Sequence, residues 1–545
     1  VGTPGADGRA GPAVKIPARA AHLGDFAVNR RMLLITAIAL PVGGAAAVAA
    51  FALLKLIGLI ANLVFYQRVA TDLVAPGAQH HPWWLVLLAP VVGGLVIGLM
   101  ARYGSEKIRG HGMPEAIEAI LTGGSRVAPR VAVLKPVSAA VSIGTGGPFG
   151  AEGPIIMTGG AVGSIVAQLL KLSADERKTL LVAGAAGGMA ATFNAPLASV
   201  LLAVELLLFE WRPRSLVPVA AAVSVATVCR GFLLGTGPVF GVPFTGANPG
   251  PAADGLALIP GLTGGLLAIG ATALVYFAED LFGRLPVHWM WWPAIGGLVI
   301  GIGGLIEPHA LGVGYDVIDT LLTGHATASL IVGILVVKTL IWALSLGSGT
   351  SGGVLAPVFM IGAALGAAEG GLLPHVAPGF WATCGLAAVV GGVMRSPFTG
   401  IVFTLELTHA WSYLLPLVVA SFSAYALSVL LLKRSVLTEK IARRRLHLTR
   451  EYTTDPLETF FVHEVMTHQP DVQMSADVVV YADDTLRDVA NELALGHTTQ
   501  ALVVDRHDPS RVLGKVTLAQ LLHARRRDLH EEHHRERLLG PSVSA

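Results

Sequence analysis

The sequence predicts an all-α polytopic membrane protein with a small soluble α/β domain near its C-terminal end. Of its 545 residues, 53% are hydrophobic and only 14% are charged, whereas soluble domains carry roughly 25% charged residues. Nearly half of the charged residues lie in residues 433–545, which leaves residues 32–432 strongly apolar. The 65 glycines and 32 prolines follow no short period. This composition excludes a single soluble globule, a disordered chain and a collagen-like chain.

The flanks of the apolar region predict how the chain is oriented. Residues 1–31 are polar and are expected to form a mobile cytoplasmic arm. Two arginines precede the first apolar run, and a basic cluster in residues 433–450 follows the last one. Because positive residues collect on the cytoplasmic side, both termini are expected in the cytoplasm after an even number of crossings. The net charge of +2 gives no case for nucleic-acid binding, and Cys229 and Cys384 lack the spacing of a zinc site.

The membrane region, residues 32–445, contains an internal repeat. Several of its apolar segments are shorter than the roughly 20 residues that a membrane helix needs, which predicts broken helices that end around an aqueous path. Residues 90–98 return as residues 293–301 at an offset of 203, and NAPLASVLLAVEL returns as RSPFTGIVFTLEL. Chance explains any single match, but their common order predicts two inverted repeats, at about 32–235 and 254–432.

The C-terminal part of the sequence reads differently. A linker over residues 446–462 leads to residues 463–524, where short β-like runs alternate with helical runs as in a small α/β module. Residues 525–545 are charged and are expected to be disordered. Three histidines in this end, at positions 530, 533 and 534, allow a metal site as an alternative, but no pattern fixes their geometry.

Three glycine-rich approaches lead into apolar helices, at residues 110–114, 144–154 and 347–357. Each places glycines where the backbone bends and a proline near the first helical turn. A helix that begins inside a membrane presents unpaired N–H groups and a partial positive charge. Helix packing through small residues explains one such loop. Three of them predict a neutral anion site that binds an ion and releases it again.

Glu152 is the strongest single candidate for a functional residue. It stands at a predicted helix start inside an apolar neighbourhood, where an ionised carboxylate competes for the amides that an anion needs. The alternative is an ordinary carboxylate that stabilises the helix dipole. Glu205 and Glu406, at matching repeat positions, are expected to be structural or vestibule carboxylates. Lys135, Lys338 and Arg395 are expected to be buried partners of other polar groups or snorkelling cations rather than anion ligands.

Several ordered motifs of this region resemble those of the CLC family of chloride channels and chloride/proton exchangers, in a bacterial type with a C-terminal CBS-like tail. GHGMPE at 110–115 is similar to the family's GSGIPE, GAEGP at 150–154 to its GREGP, and GGVLAP at 352–357 to its GxFxP segment. Residues 435–445 resemble its last helix. The resemblance covers about residues 32–445, nearly the whole membrane domain.

This resemblance implies a set of roles for the matching residues. The carboxylate of Glu152 gates the anion path, and the backbone amides of Val354 and Leu355 bind the central anion. Ala151, Gly153 and His111 are further candidate anion-binding residues. It also implies a homodimer in the inner membrane with one chloride path per subunit. No cofactor is expected, and chloride or a similar small anion is the substrate.

Four positions depart from the family pattern. His111 stands in place of a serine that contacts chloride, and Leu437 in place of a tyrosine that meets the same ion, so weaker central binding is expected. The imidazole of His111 titrates near physiological pH, which predicts that anion binding depends on pH. The alternative is that His111 only faces the inner vestibule. Ala151 replaces an arginine, and Leu206 replaces the exchangers' internal proton-relay glutamate. Because leucine carries no proton, passive channel-like conduction is favoured.

Other functions stay open at this stage. One alternative is a chloride/proton antiporter with a nonstandard proton route through Glu152 and Glu205. A fluoride-selective exporter, a membrane enzyme or a receptor is less favoured, because the anion motifs follow the chloride pattern and no paired carboxylates, metal motif or activated nucleophile is present. The tail looks like a single CBS motif. Gln520 stands in place of its ribose-binding aspartate, which weakens the case for adenine-nucleotide binding.

Overall fold

The computed structural model describes residues 30–241, 249–444, 457, 460–468, 478–508 and 510–526. It divides the chain into two compact units, residues 28–450 and a second one that includes residues 451–545. Nearly all of the predicted cytoplasmic arm, most of the predicted linker and the three C-terminal histidines lie outside the described residues.

Helices build the described part of the first unit. In chain order they are α1 (Arg31–Tyr66), α2 (Trp83–Tyr103), α3 (Met113–Leu121), α4 (Pro129–Gly144), α5 (Glu152–Leu169), α6 (Ala174–Phe193), α7 (Pro196–Ala203), α8 (Pro213–Leu233), α9 (Pro251–Leu256), α10 (Leu258–Gly283), α11 (Trp292–Ile306), α12 (Tyr315–Leu322), α13 (Ala328–Gly333), α14 (Thr339–Gly347), α15 (Leu355–Gly370), α16 (Phe380–Met394), α17 (Pro397–Thr408), α18 (Leu414–Leu431) and α19 (Val436–Arg443). Proline occupies the first turn of many of them, where its missing N–H costs no hydrogen bond.

Long and short apolar helices alternate along this unit. Seven spans in the described residues are long and apolar enough to cross a membrane, and they are Arg31–Tyr66, Trp83–Tyr103, Pro213–Leu233, Pro251–Gly283, Trp289–Ile306, Ala328–Gly347 and Trp411–Arg443. Others, such as Leu355–Gly370 and Phe380–Met394, are apolar but shorter. The all-α polytopic fold with broken helices that the sequence predicts is therefore confirmed.

Contacts at equivalent positions relate the two halves. A Cβ atom added to Gly94 would collide with the carbonyl oxygen of Pro293, and one added to Gly297 would collide with that of Pro90. Helices α2 and α11 therefore cross at two matching glycines. The backbones of Gly150 and Gly353 also pair, with the N–H of Gly353 donating to the carbonyl of Gly150 at 2.7 Å and the reverse bond at 3.3 Å. These reciprocal contacts place the boundary of the two repeats at the centre of the unit.

Two fully buried lysines hold matching glycine-rich loops, one in each half. The Lys135 ammonium donates to the carbonyls of Ile108 at 2.8 Å and Gly110 at 2.6 Å. The Lys338 ammonium donates to the carbonyls of Ala310 at 2.9 Å and Gly312 at 2.8 Å. Buried charges are tolerated when every donor finds an acceptor. The sequence-based expectation that both lysines are buried partners agrees with these contacts.

The second unit contains a small α/β fold. Its described elements are helix α20 (Val462–Val465), strand β1 (Thr467–His468), strand β2 (Val479–Tyr481), helix α21 (Leu486–Leu495), strand β3 (Gln500–Val504), strand β4 (Val512–Thr517) and helix α22 at 518–526. The strands form one sheet in the order β1-β4-β3-β2, with β2 and β3 parallel and the other pairs antiparallel. This architecture fits the predicted CBS-like tail.

The contacts of Lys338 predict that this residue stabilises the second half of the membrane unit. Lys338→Met leaves two buried carbonyls without their donor, and each such loss costs about 1–3 kcal/mol. We expect a lower thermal unfolding midpoint of the detergent-solubilised protein. Lys433→Met, which changes an exposed lysine, is the control and should leave the midpoint unchanged. Equal midpoints for the two variants would contradict a loop-holding role for Lys338.

Candidate anion-binding site

Helix starts from both halves meet in the middle of the membrane unit. Helix α5 begins at Glu152 and α15 begins at Leu355, each two residues after one glycine of the Gly150–Gly353 backbone pair. Helix α3 begins one residue after Gly112, whose φ of 86° is readily adopted only by glycine. The first N–H groups of each helix have no carbonyl within their own helix. The fold therefore brings three sets of free amides together, as the glycine-rich motifs predict.

Glu152 lies at the centre of this arrangement and is fully buried. Its Oε1 accepts a hydrogen bond from the backbone N–H of Ala356 at 3.0 Å, in the first turn of α15. Its Oε2 is buried without a hydrogen-bond partner among the described residues. The carboxylate of one half thus caps the helix of the other half and occupies the place where a free anion would meet the same amides.

Glycines make room for this carboxylate. A Cβ atom at Gly150 would collide with both oxygens of Glu152, and one at Gly353 would collide with Oε2. A Cβ at Gly153 would collide with the carbonyl oxygen of His111, so α5 also approaches the loop that precedes α3. A side chain at Gly153 or Gly353 would require the backbone to move, and one at Gly150 would displace the Glu152 carboxylate. The GAEGP and GGVLAP motifs are therefore steric requirements of the site.

The remaining predicted residues lie around the same point. Ala151 and Val354 are the N-cap residues of α5 and α15, and Leu355 is the first residue of α15. All three are buried. Their position at the two helix starts fits amides directed toward a shared anion.

His111 faces a cavity of about 430 Å³ that adjoins the site. Its side chain is 4% exposed, and Lys440 and Arg109 line the same cavity. Because a second positive charge there would be buried and repelled, we expect the imidazole to remain a neutral N–H donor. This placement argues against the pH effect that the sequence predicts for His111.

Leu437 lies in the apolar core rather than at a polar contact. It is fully buried, as are its neighbours Val436 and Ile441. The hydroxyl of Tyr276 donates to the carbonyl of Val436, one residue away. Leucine therefore supplies no hydrogen-bond donor at this position, in agreement with the sequence-based expectation.

Glu205 and Glu406 have reciprocal structural contacts. The Glu205 carboxylate accepts from the backbone N–H of Thr399 at 2.9 Å and from its hydroxyl at 2.6 Å. The Glu406 carboxylate accepts from the backbone N–H groups of Leu197 at 3.0 Å and Ala198 at 2.8 Å. Each glutamate thus caps the short helix of the opposite half, which supports the structural interpretation of both residues.

Leu206 lies next to this contact and is fully buried. It belongs to a π-helical turn, Val204–Leu208, that continues α7. The position where the family's exchangers place a proton-relay glutamate is therefore occupied by an apolar side chain in an apolar surrounding.

Sequence reasoning missed an ion-pair group beside the cavity. Glu115 is buried, and its Oε1 lies 3.3 Å from the Lys440 ammonium and 2.9 Å from the Arg444 guanidinium. These contacts tie α19 to the start of α3. Glu115 ends the GHGMPE motif, and Lys440 lies in the segment that resembles the family's last helix. The motifs therefore include both residues, but they do not predict that the two side chains form an ion pair.

Gln520 in the tail is engaged within its own domain. Its Oε1 accepts from the backbone N–H of Thr517 at 2.7 Å, and its Nε2 donates to the carbonyl of Val465 and the hydroxyl of Thr467, both at 2.8 Å. The amide therefore joins α22 to α20 and β1. Weak adenine-nucleotide binding by this tail stays a prediction.

Comparisons with known proteins agree with this geometry. The family model described as "Voltage gated chloride channel" matches residues 93–429. The "H(+)/Cl(-) exchange transporter ClcA" of Citrobacter koseri is 32% identical over 368 residues, which cover 64% of this chain and 76% of the relative. The "Putative chloride channel protein ClcB-like" of Ralstonia nicotianae is 29% identical over 381 residues, which cover 68% of this chain and 88% of the relative.

Solved structures share the same fold. A slow cyanobacterial Cl⁻/H⁺ antiporter aligns with a TM-score of 0.64 at 21% identity, over 76% of this chain and 98% of its own. A CLC-type fluoride/proton antiporter aligns with a TM-score of 0.62 at 18% identity, over 74% and 97% of the two chains. At these identities the likeness concerns the fold alone.

The reciprocal contacts of Glu205 and Glu406 predict that removing either carboxylate lowers the stability of the protein by a similar amount. Glu406→Ala removes the acceptor of the Leu197 and Ala198 N–H groups, and Glu205→Ala removes the acceptor of the Thr399 N–H and hydroxyl, each at a cost of about 1–3 kcal/mol. Both variants should lower the thermal unfolding midpoint by similar amounts, because their contacts are equivalent. Glu439→Ala, which removes a surface ion pair with Arg443, is the control and should have little effect. A change no larger than that of the control would contradict the capping role.

Proposed function

The chain belongs to the voltage-gated chloride channel family and serves chloride transport across a membrane, and we propose that the carboxylate of Glu152 gates its anion path. The observation that supports this is the hydrogen bond from the Ala356 N–H to Glu152 Oε1 at 3.0 Å. A carboxylate and a chloride ion compete for the same helix-start amides. Chloride can pass only when the Glu152 side chain leaves them.

Backbone groups bind the anion in this proposal. The amides of Val354 and Leu355 are the donors at the start of α15, and those of Ala151 and Gly153 are the donors at the start of α5. Partial charges hold a chloride ion less firmly than a buried lysine or arginine would. Moderate affinity suits conduction, which requires that each bound ion also leaves.

The side chains at positions 205 and 206 favour passive chloride conduction over proton-coupled exchange. Leu206 cannot relay a proton, and it is buried among apolar groups. The Glu205 carboxylate, the neighbouring candidate for a proton path, already accepts two hydrogen bonds from Thr399. Glu152 is then a gate, and its movement need not be coupled to proton transfer through the protein.

Chloride/proton exchange is the second candidate. The relatives named H(+)/Cl(-) exchange transporter are 31–32% identical to this chain, which is the observation in its favour. Exchange would require protons to reach Glu152 by a nonstandard route, either through Glu205 or along water. The carboxylate would then carry a proton each time it leaves the Ala356 amide.

Family membership supports our proposal for the assembly and location. We propose a homodimer with one anion path per subunit in the plasma membrane, with both termini in the cytoplasm. The tail then lies in the cytoplasm, where a second copy would supply the other half of a CBS pair.

Flux measurements in liposomes test the gate and the mode together. Glu152→Ala should keep chloride flux, because the amides remain. Acid pH should raise wild-type flux, because protonation weakens the hold of the Glu152 carboxylate on the amides, and Glu152→Ala should abolish this effect. Wild-type protein should move chloride without driving protons uphill. Glu369→Gln is a matched control, since this carboxylate lies at the far end of the same helix α15 and binds Thr263.

Two outcomes would change the proposal. Loss of all chloride flux in Glu152→Ala, with normal flux in Glu369→Gln, would contradict the gate. Uphill proton movement driven by a chloride gradient in wild-type liposomes would replace passive conduction by exchange.

His111→Ser tests the donor next to the central site. Serine restores the hydroxyl that relatives place there, so the chloride concentration that gives half-maximal flux should fall severalfold. With Glu152→Gln as background, flux should stay independent of pH from about 5.5 to 8, since the wild-type imidazole is expected to be neutral throughout. A pH dependence that disappears only in His111→Ser would show that the imidazole titrates.

A further inference from the structure

Tyr315 is a tyrosine at a helix start that the proposed gate and anion site do not use. It is the first residue of α12 and directly follows Gly314, whose φ is 80°. Its side chain is partly exposed, but its hydroxyl is buried and has no hydrogen-bond partner among the described residues. A buried polar group without a partner is costly, so the position of this hydroxyl requires an explanation.

Backbone contacts place the start of α12 next to the gate. The N–H of Gly312 donates to the carbonyl of Gly146 at 3.0 Å, in the loop that precedes α5. A Cβ atom at Gly314 would come within 2.6 Å of the side chain of Met360, which belongs to α15. Helix α12 therefore begins beside the two helices whose starts meet at Glu152.

Aromatic packing holds the ring of Tyr315. Its ring centre lies 6.3 Å from that of Phe193 and 5.9 Å from that of Phe240, and both contacts are edge-to-face. Phe193 in turn lies 6.3 Å from Phe359 of α15. Such contacts favour one orientation of the ring. The hydroxyl that this ring presents lies close enough to the Glu152 carboxylate for the two groups to interact electrostatically.

The matching helix start in the first half carries no hydroxyl. Gly112 and Gly314 occupy equivalent positions in the two repeats, and both have a positive φ. The residue that follows is Met113 at the start of α3 and Tyr315 at the start of α12. Met113 is buried in the apolar core. An apolar side chain is therefore sufficient for packing at this position, and the hydroxyl is what Tyr315 adds.

We propose that the Tyr315 hydroxyl receives the Glu152 side chain when this side chain leaves the Ala356 amide. The inference rests on the proposed gate and deepens it by naming the partner of the displaced carboxylate. Glu152 Oε2 is likewise buried without a partner in the described structure, so each group lacks a hydrogen bond that the other can supply. A hydroxyl donates to a carboxylate and accepts from a protonated carboxyl group. Tyr315 is thus a positioning residue that stabilises the open gate.

Tyr315→Phe tests this proposal, because it removes the hydroxyl and keeps the ring. In chloride-loaded liposomes the half-saturating chloride concentration should rise roughly threefold to tenfold, as expected for the loss of one hydrogen bond. The reason is that Glu152 then occupies the α15 amides more often. Flux at saturating chloride should change little, since excess chloride still displaces the carboxylate. An unchanged half-saturating concentration would overturn the proposal.

Tyr413→Phe is the matched control. Tyr413 is a buried tyrosine whose ring centre lies 4.9 Å from that of Phe380, in a separate apolar cluster. Its substitution should leave the half-saturating concentration unchanged. Equal shifts for the two variants would overturn the proposal, because the effect would then be a general one of losing a buried hydroxyl.

The same substitution in a Glu152→Ala background separates a partner of the gate from other roles. Without the carboxylate, Tyr315→Phe should no longer change the half-saturating chloride concentration. An equal shift in both backgrounds would overturn the proposal, because the hydroxyl would then act on the anion or on the packing. A loss of maximal flux at unchanged half-saturation would also overturn it, because Tyr315 would then be structural.

A structure of Glu152→Gln separates this proposal from the proposed transport function. The substituted side chain mimics the protonated carboxyl group, and the experiment needs no flux. We expect this side chain within hydrogen-bond distance of the Tyr315 hydroxyl, and at the Ala356 N–H when Tyr315→Phe is added. A side chain that does not meet Tyr315 would refute this contact alone. The contact in a protein whose wild type carries no chloride flux would refute transport alone.

Discussion

The polar ends of helices buried inside a membrane are the constraint on which this structure depends. The hydrocarbon core of a membrane supplies no water to bond their N–H and carbonyl groups, so side chains must form these hydrogen bonds. Glu205 and Glu406 each cap a helix of the opposite half, and Glu152 does the same for α15. Lys135 and Lys338 satisfy the carbonyls of the glycine-rich loops. Neither half satisfies all of its own groups, which makes the two halves one folding unit.

This constraint also explains why the centre of the protein attracts an anion with so few formal charges. Each helix start carries a partial positive charge, and those of α3, α5 and α15 lie near the Gly150–Gly353 pair. Of the three carboxylates, two are held by contacts that keep the helices together. Only Glu152 has an oxygen that remains without a partner in the described structure. A glutamate at a helix start therefore holds the two halves together at two places and, in our proposal, gates the anion path at the third.

Much of this could be predicted from sequence, because it depends on local patterns. Broken apolar segments, glycines before helix starts and the repeat at an offset near 203 are visible in one dimension, and they predict the fold and Glu152. The partner of Glu205 lies 194 residues away. The Trp289 and Trp292 rings that contact the Arg109 guanidinium belong to the other half. Such contacts follow from how the halves pack, which no local pattern encodes. The burial of His111 among cations, which argues against its predicted pH effect, is of the same kind.

The Glu152 carboxylate has a consequence for how the protein responds to its substrate. In the proposed gate it acts as a tethered inhibitor, since it competes with chloride yet cannot diffuse away. A ligand on a short tether acts at an effective concentration on the order of millimolar or above. Under this proposal, free chloride must reach a comparable level before it displaces the side chain often. The reach of one glutamate side chain then sets a threshold, and chloride flux reports the ambient chloride concentration.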